Sequence, residues 1–394
     1  MTTELSAARP PLIRAMNEQL LLGHIRLSGP VSRADLARIS GLSKPTVSLA
    51  LANVERAGLV RMAGQRTGVP GRTAQLYEVR PEAGFVLGLD IGLKYLRGAV
   101  ADLAGEVRTR DSRKVVATSV RGRLAELVEL ADDLCARAGT SRQAVTQTVI
   151  GTPGVYDPQR NAIALTGGLA GWDRPAALTG LREAFGPSVV LENDVDAAAL
   201  AERTHGYGRD CESFAFVHVG TGIGMGLVLG GRLHRGVHGV AGEIAFMPLA
   251  EGESDDARRR GPLEAAAAAA GIVRAARKAG MRGPVSARSV FAAAAKGDPR
   301  AKAVVAEEAE LVARAVCCVI TVVDPELIVL GGGIGQAPGF AAMVTSALSD
   351  MTPVLPEVKV SALGTDVVVD GCLAEGASLA WNQLISGPLG HGAM

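Results

Sequence analysis

Scarcity narrows the reading first. Aromatic residues make up only 3% of the 394 positions, which excludes stacking of bases on an aromatic platform as the main binding mode. The five cysteines are Cys135, Cys211, Cys317, Cys318 and Cys372. Their number is odd and none form a CxxC pair, which argues against a disulfide framework and against a Cys-rich zinc site. No uncharged apolar run reaches the roughly 18 residues of a membrane span. The first residues also lack an apolar stretch behind a basic start, so no signal peptide is read there. The expectation is a soluble cytoplasmic protein with no membrane partner.

What is present is an ordinary globular balance, 48% hydrophobic and 21% charged, in a chain long enough for two or three domains. The net charge of +1 hides an asymmetry. Residues 1–80 hold 11 Lys/Arg against 5 Asp/Glu, whereas the rest hold 30 against 35. A basic head on a mildly acidic body suits a head that meets a polyanion.

Within the head, Ile13, Met16, Leu20 and Leu21 recur at helical spacing, which predicts a helix near residues 11–27 that Gly29-Pro30 ends. Ser32 reads as the N-cap of a second helix, with Asp35 three residues on, Leu36 and Ile39 as its apolar face and Gly41 as its stop. Ser43 caps a third, with Pro45 in its first turn, and Val47, Ala50, Leu51 and Val54 repeat at core spacing. Two helices joined by a tight Gly-containing turn form a helix-turn-helix, whose second helix enters the major groove N-terminus first. Lys44 and the Ser43 hydroxyl suit phosphate contacts, Thr46 and Ser48 could reach base edges, and Pro45 lies on the same DNA-facing turn. Two short strands, Leu59–Met62 and Ala74–Val79, flank a Gly- and Arg-rich stretch, which predicts a wing. Arg66 and Arg72 on the wing, together with Arg33, complete the candidate set for duplex DNA. The plainer reading of the same elements is a small packing or dimerisation module.

From residue 84 onward the pattern is α/β. A strand through Gly88 to Asp90-Ile91-Gly92 and a second from Leu96 to Asp102 open it as a hairpin. A helix near 121–138, a strand at 148–150, the turn Gly151-Thr152-Pro153-Gly154 and a strand at 189–191 follow. That last strand runs into Glu192-Asn193-Asp194 and an Ala-rich helix. A second unit starts at Ser213 and leads through Phe214–Val219 into the glycine-rich run Gly220–Gly226. Such a run either lets backbone N–H groups surround a phosphate or is a plain hairpin turn. The strand Leu327–Leu330 and the triple glycine Gly331–Gly333 again suggest a nucleotide cradle.

The order of these motifs resembles the ROK family of repressors and sugar kinases over nearly the whole chain. The residues that carry the resemblance are the helix-turn-helix, LGLDIG at 87–92, GTPGV at 151–155 and ENDVDAAALAE at 192–202, then the glycine-rich stretch 219–244 ending in AGEI, and DPELIVLGGGI at 324–334. The resemblance implies an N-terminal winged helix-turn-helix (1–80) followed by a two-lobed, actin-like (ribonuclease H-like) sugar-kinase-type ATPase fold (84–394) with a ligand cleft between its lobes. It implies ligand contacts by Asn193, Asp194, Glu243 and Glu264, with Asp194 matching the general base of the kinases; the alternative for Asp194 is the N-cap of the helix that follows. Asp90, Gly92, Thr221, Gly222, Gly332 and Gly333 match the nucleotide site.

Departures from the family pattern are concentrated in the kinase machinery. Leu93-Lys94-Tyr95 follows Gly92 where the family has Gly-Thr-Lys, and two bulky side chains there crowd a phosphate. Phe246 replaces the histidine that binds zinc and sugar, the stretch Glu251–Pro262 holds no cysteine, and Gly167-Gly168 stands near the lost sugar-loop asparagine. The expectation is therefore a DNA-binding repressor of carbohydrate genes with no zinc, no ATP and no catalytic residue. Its partners would be operator DNA, a sugar or sugar derivative as effector, and further copies of itself in a dimer or tetramer. The rivals are an active sugar kinase with a DNA-binding head and a ligand-blind regulator whose body only dimerises.

Overall fold

The structure, a computed structural model, describes residues 10–66, 74–157, 161–165, 169–250 and 255–386. Its head has three helices, α1 (Pro10–Ser28), α2 (Arg33–Ser40) and α3 (Lys44–Arg56), and three strands, β1 (Val31–Ser32), β2 (Val60–Arg66) and β3 (Ala74–Val79), in the order β1-β3-β2. The caps explain the helix boundaries. The Ser32 hydroxyl accepts from the Asp35 N–H while the Asp35 carboxylate accepts from the Ser32 N–H, a reciprocal capping box, and Gly41 ends α2 in the left-handed region at φ 70°. Ser43 caps α3 by accepting from the Thr46 N–H. Val47, Ala50, Leu51 and Val54 are buried as their spacing predicts. The first helix is turned otherwise than expected: Leu21, Leu22 and Ile25 face the core, while Ile13, Met16 and Leu20 stand 48%, 56% and 42% exposed. Ile39 is likewise half-exposed, leaving Leu36 as the buried anchor of α2.

The body repeats one sheet topology twice. In the first sheet, β4 (Phe85–Ile91), β5 (Tyr95–Asp102) and β6 (Val107–Lys114) form an antiparallel meander. β7 (Gln147–Thr152) and β10 (Val190–Asn193) extend it in parallel on the far side of β4. A small hairpin, β8 (Val155–Asp157) with β9 (Ala162–Ala164), lies between them in sequence. The second sheet follows the same plan: β11 (Phe214–Val219), β12 (Ile223–Leu229) and β13 (Arg232–Leu233) form the meander, and β14 (Leu327–Gly331) and β15 (Glu357–Val360) run parallel to β11. Helices α4 (Val120–Arg137) and α5 (Pro175–Phe185) cover the first sheet, and the helices Ala269–Lys278, Pro299–Val323 and Phe340–Ser349 enclose the core of the second.

Two helices change sides. α6 (Asp194–His205) leaves the first sheet and packs against β11 and β12 of the second, whereas the terminal helix Val367–Ser386 follows the second sheet and packs against β4 and β7 of the first. They cross each other at close range. A Cβ at Gly371 would overlap the Ala197 carbonyl oxygen, and where the terminal helix passes β4 one at Gly88 would press within 3.0 Å of the Val369 carbonyl. Because α6 spans the junction, its N-terminus opens between the two sheets.

The terminal helix also carries the head. Trp381 is 1% exposed, shares an apolar cluster with Leu22, Ile25, Ala101 and Leu103, and donates its indole N–H to the Leu103 carbonyl at 3.1 Å. The Arg26 guanidinium of α1 lies over its ring at 5.2 Å.

Two alanine substitutions distinguish crossing from propensity. Gly371→Ala gains helix propensity yet meets the Ala197 carbonyl, and should destabilise by about 1–3 kcal/mol. Gly23→Ala in α1 meets nothing within 4 Å and should stabilise by about 0.5–1 kcal/mol. Urea unfolding of each variant measures both signs.

Candidate functional site

The junction of the two sheets gathers acids. Asn193, not Asp194, is the N-cap of α6: its side-chain oxygen accepts from the Val195 and Asp196 N–H groups at 2.8 and 3.2 Å. Its amide donates to the Gly154 carbonyl at 3.2 Å. Asp194 is thereby left as the first helical residue, its carboxylate accepting from N–H groups of the first turn. Burial pushes its carboxyl up, while the facing His218 and those N–H groups pull it down. His218 responds in mirror image: burial lowers its imidazole, and Asp194 and Glu264 raise it.

Glu243 faces Asp194 and Glu264, and burial, followed by those two charges, lifts it to about 7. Behind them Asp196 is pushed up to about 8, first by burial and then by Glu192, and one of its oxygens has no hydrogen-bond partner. Burial raises Glu192 too, but Arg235 holds it back: the guanidinium grips both carboxylate oxygens and also reaches Glu375 of the terminal helix at 3.0 Å. Asp90 comes to about 7, raised by burial and by Asp194 and held down by Arg97. The structure thus brings Asp90, Asp194, Glu243 and Glu264 into one electrostatic neighbourhood.

Glu264 has structural duties. One oxygen accepts from the Ile223 N–H at 3.0 Å, the other takes the Arg260 guanidinium at 2.7 Å, and Arg260 also donates to the Thr221 carbonyl. It therefore props the Gly220-Thr221-Gly222 turn, which is a hairpin closed by the Gly220 N–H on the Gly222 carbonyl. The glycines after it have another reason to be glycine: a Cβ at Gly224 or Gly226 would strike Val195 or the Val195 carbonyl of α6. Gly220, Gly224, Gly331 and Gly332 instead surround His218. The first and last would bring a Cβ within 2.7 and 3.0 Å of its ring, and the middle two are its cross-strand partners. Gly332 sits at φ +79° and Gly333 faces open space.

The turn after Asp90 is held by its own hydrogen bonds. The Gly92 N–H donates to the Tyr95 carbonyl, and Arg123 donates to the Gly92 and Leu93 carbonyls, so the turn is closed on itself. Among the described residues no group of three or more His, Cys, Asp or Glu could hold a metal. Gly167 and Gly168 lie outside the described residues.

On the head, Ser43, Lys44, Pro45 and Ser48 are exposed at the start of α3, and Thr46 is half-buried with its hydroxyl 2.8 Å from that of Ser43. Arg33 donates to the Tyr77 hydroxyl at 2.6 Å. Arg66 pairs with Asp35 at 3.2 Å. Arg72 lies outside the described residues. The sequence reading missed His218, Arg97 and Arg235; Arg97 was findable, because a strand of that length in antiparallel register places it directly opposite Asp90.

The sequence matches the ROK family over residues 86–380. The chain belongs to the ROK family. The xylose repressor of Bacillus subtilis is 26% identical over 60% of the chain, and the match spans 61% of that repressor. A ROK hexokinase from Thermus thermophilus is 31% identical, superposes with a TM-score of 0.63, and covers 74% of the chain and 97% of its own length. A ROK family transcriptional regulator described as a homologue of the Escherichia coli Mlc protein covers 96% of the chain and all of its own, at 24% identity and a TM-score of 0.76. The last likeness is one of fold.

The raised carboxyls of the ROK cleft set a pH slope. Asp90, Asp196 and Glu243 hold protons in the folded state that the unfolded chain has released, so stability should fall as pH rises from the ordinary carboxylate range of about 4 toward 8. The melting temperature should be higher near about pH 6 than near about pH 8.5. Asp196→Asn, which removes one of the three groups, should flatten the slope; an unchanged slope contradicts the assignment.

Proposed function

We propose that the protein is a DNA-binding transcription regulator, a repressor whose ROK body binds an uncharged sugar and so alters operator affinity. Residues 1–80 act as a winged helix-turn-helix reader and residues 84–394 as the sensor and assembly domain. A cytoplasmic dimer or tetramer suits this reading, since palindromic half-sites require two-fold symmetry.

One observation carries the reading. The start of α3 offers Ser43, Lys44, Pro45 and Ser48 to solvent while its other face is buried, and the hairpin β2–β3 stands beside it. A helix held from behind, with its N-terminus free and basic, is what a major groove admits. Arg33 and Arg66 flank that face; both have partners in the free protein, so phosphate would compete with Asp35 for Arg66.

The effector class follows from charge. Asp194, Asp196 and Glu243 have no arginine of their own, whereas Arg97, Arg235 and Arg260 are taken by Asp90, Glu192 and Glu264. Sugar hydroxyls donate to carboxylates; a phosphorylated sugar would add negative charge to a site already in surplus. Asn193, with its oxygen committed to the cap and one amide hydrogen to Gly154, retains only the other hydrogen for a ligand. The likeness to a xylose repressor and to a hexokinase supports a neutral monosaccharide, and the terminal helix, which touches α6 at one stretch and α1 at Trp381, supports a route from cleft to head.

A kinase with a DNA-binding head is the second reading. It is favoured by Asp194, whose carboxylate no other side chain engages by hydrogen bond among the described residues, and which therefore stands ready as a general base. Sugar-dependent ATP turnover that Asp194→Asn abolishes would establish it.

Fluorescence anisotropy on duplexes from the protein's own upstream region tests the regulator reading. Lys44→Ala should weaken binding across all sequences and reduce the salt slope by about 1. Asp194→Asn should leave operator affinity within about twofold and erase the response to D-xylose and D-glucose. Absence of salt-sensitive, sequence-selective binding by the wild type would defeat the proposal.

A further inference from the structure

The kinases of this fold bring a divalent metal and a nucleotide to the carboxylates at the strand ends, and on the first-sheet side of this cleft the residues disagree with that arrangement. Asp90 and Asp194 are buried close enough to repel each other. Two such acids require a cation between them and the ligand if both are to ionise. A phosphoryl-transfer enzyme supplies it as Mg²⁺.

Here the chain supplies one itself. Arg97 stands directly opposite Asp90 in the β4–β5 register, and its guanidinium donates to the Asp90 carboxylate at 3.0 Å. Its other arm lies 3.8 Å from Asp366, at the entrance to the terminal helix. Its plane lies over the Tyr95 ring at 5.3 Å. Both partners are largely enclosed, with 22% of the Arg97 and 7% of the Asp90 side chain exposed. Arg110 pairs with Asp366 and Asp370 and so keeps the acids around Arg97 in place.

Tyr95 therefore has a reason to be there beyond crowding: it is the floor on which the guanidinium rests. Arg123 latches the Gly92–Leu93 carbonyls over the same corner. A guanidinium keeps its charge at every accessible pH and is tethered next to its carboxylate, where a free metal must compete from dilute solution.

We propose that Arg97 is the resident counter-cation of the cleft: it occupies the position on Asp90 that a metal–nucleotide would need, and it restricts the site to a sugar taken without nucleotide. The proposal rests on reading the cleft as a sensor and adds the residue that makes it one. It also explains how the degraded turn is compatible with a preserved buried acid, since Asp90 without Arg97 would be an unpaired charge.

The test uses the full-length protein and Mn²⁺ as probe, alone and with ATP, followed by the electron paramagnetic resonance signal of free Mn²⁺. Wild type should leave the free-ion signal intact in both titrations. Arg97→Ser should take up one Mn²⁺ per chain, about tenfold or more tighter than wild type, and Arg97→Ser combined with Asp90→Asn should lose that uptake. Arg97→Lys, which keeps the charge, should exclude Mn²⁺. Should Arg97→Ser fail to fold by circular dichroism, Arg97→Met keeps the stem packed on Tyr95 and takes its place.

Stoichiometric Mn²⁺·ATP uptake by wild type overturns the proposal whatever the variants do. So does a folded, uncharged Arg97 variant that binds no better than wild type, or uptake that persists without Asp90. Failure of operator binding with Mn²⁺ still excluded would sink the repressor reading and leave the role of Arg97 standing; the converse result would separate them the other way.

Discussion

A carboxylate removed from water must find a cation, a proton or a hydroxyl, and the body of this protein is organised around that requirement. Six acids converge where the two sheets meet. Arg97, Arg235 and Arg260 neutralise Asp90, Glu192 and Glu264. Burial and Glu192 push Asp196 up to about 8, so a proton meets its need near neutral pH. Glu243, lifted to about 7, has the same recourse, and Asp194 leans on the first-turn N–H groups and on His218, where a ligand hydroxyl could join them. On the proposed reading, the same charge balance would favour a neutral sugar over a phosphate, with Arg97 already seated on Asp90.

The reciprocal exchange of α6 and the terminal helix turns that local chemistry into a property of the whole chain. α6 begins at the cleft and ends beneath the second sheet; the terminal helix begins beside Arg97 and ends under the head. Their crossing at Gly371 leaves no space even for a Cβ, so any shift of α6 would press on the helix that holds Trp381 against α1. A ligand that prefers one lobe arrangement would bias head placement by its differential affinity and by no more than that. The exposed stripe of Ile13, Met16 and Leu20 shows that α1 is packed by one face only.

Much of this was legible in the sequence, and the legible parts share a cause. Ser32, Gly41, Ser43 and Pro45 act on their own segment, so their roles were readable without any knowledge of the fold, as was the buried spacing of α3; the strand before α6 runs beyond the expected 189–191, to Asn193. Features set by other segments were not. The glycines at 224 and 226 serve the packing of α6 rather than a phosphate, Glu264 braces a turn 41 residues away, and the ring of His218 is framed by glycines from three strands and turns. Asn193 took the cap that the sequence equally allowed Asp194, because its amide could also reach Gly154 across the sheet. The short strands β1 and β13 follow partners that only the assembled sheet provides.

The central claim is that a sugar alone, without nucleotide or metal, moves the head on DNA. It is tested most directly by selecting the duplex the full-length protein prefers, then following its release or tightening by a panel of free and phosphorylated monosaccharides in chelator-treated buffer. The account predicts a shift in operator affinity with at least one uncharged sugar and none with its phosphate. A response that requires Mg²⁺ and ATP, or one confined to sugar phosphates, would contradict it.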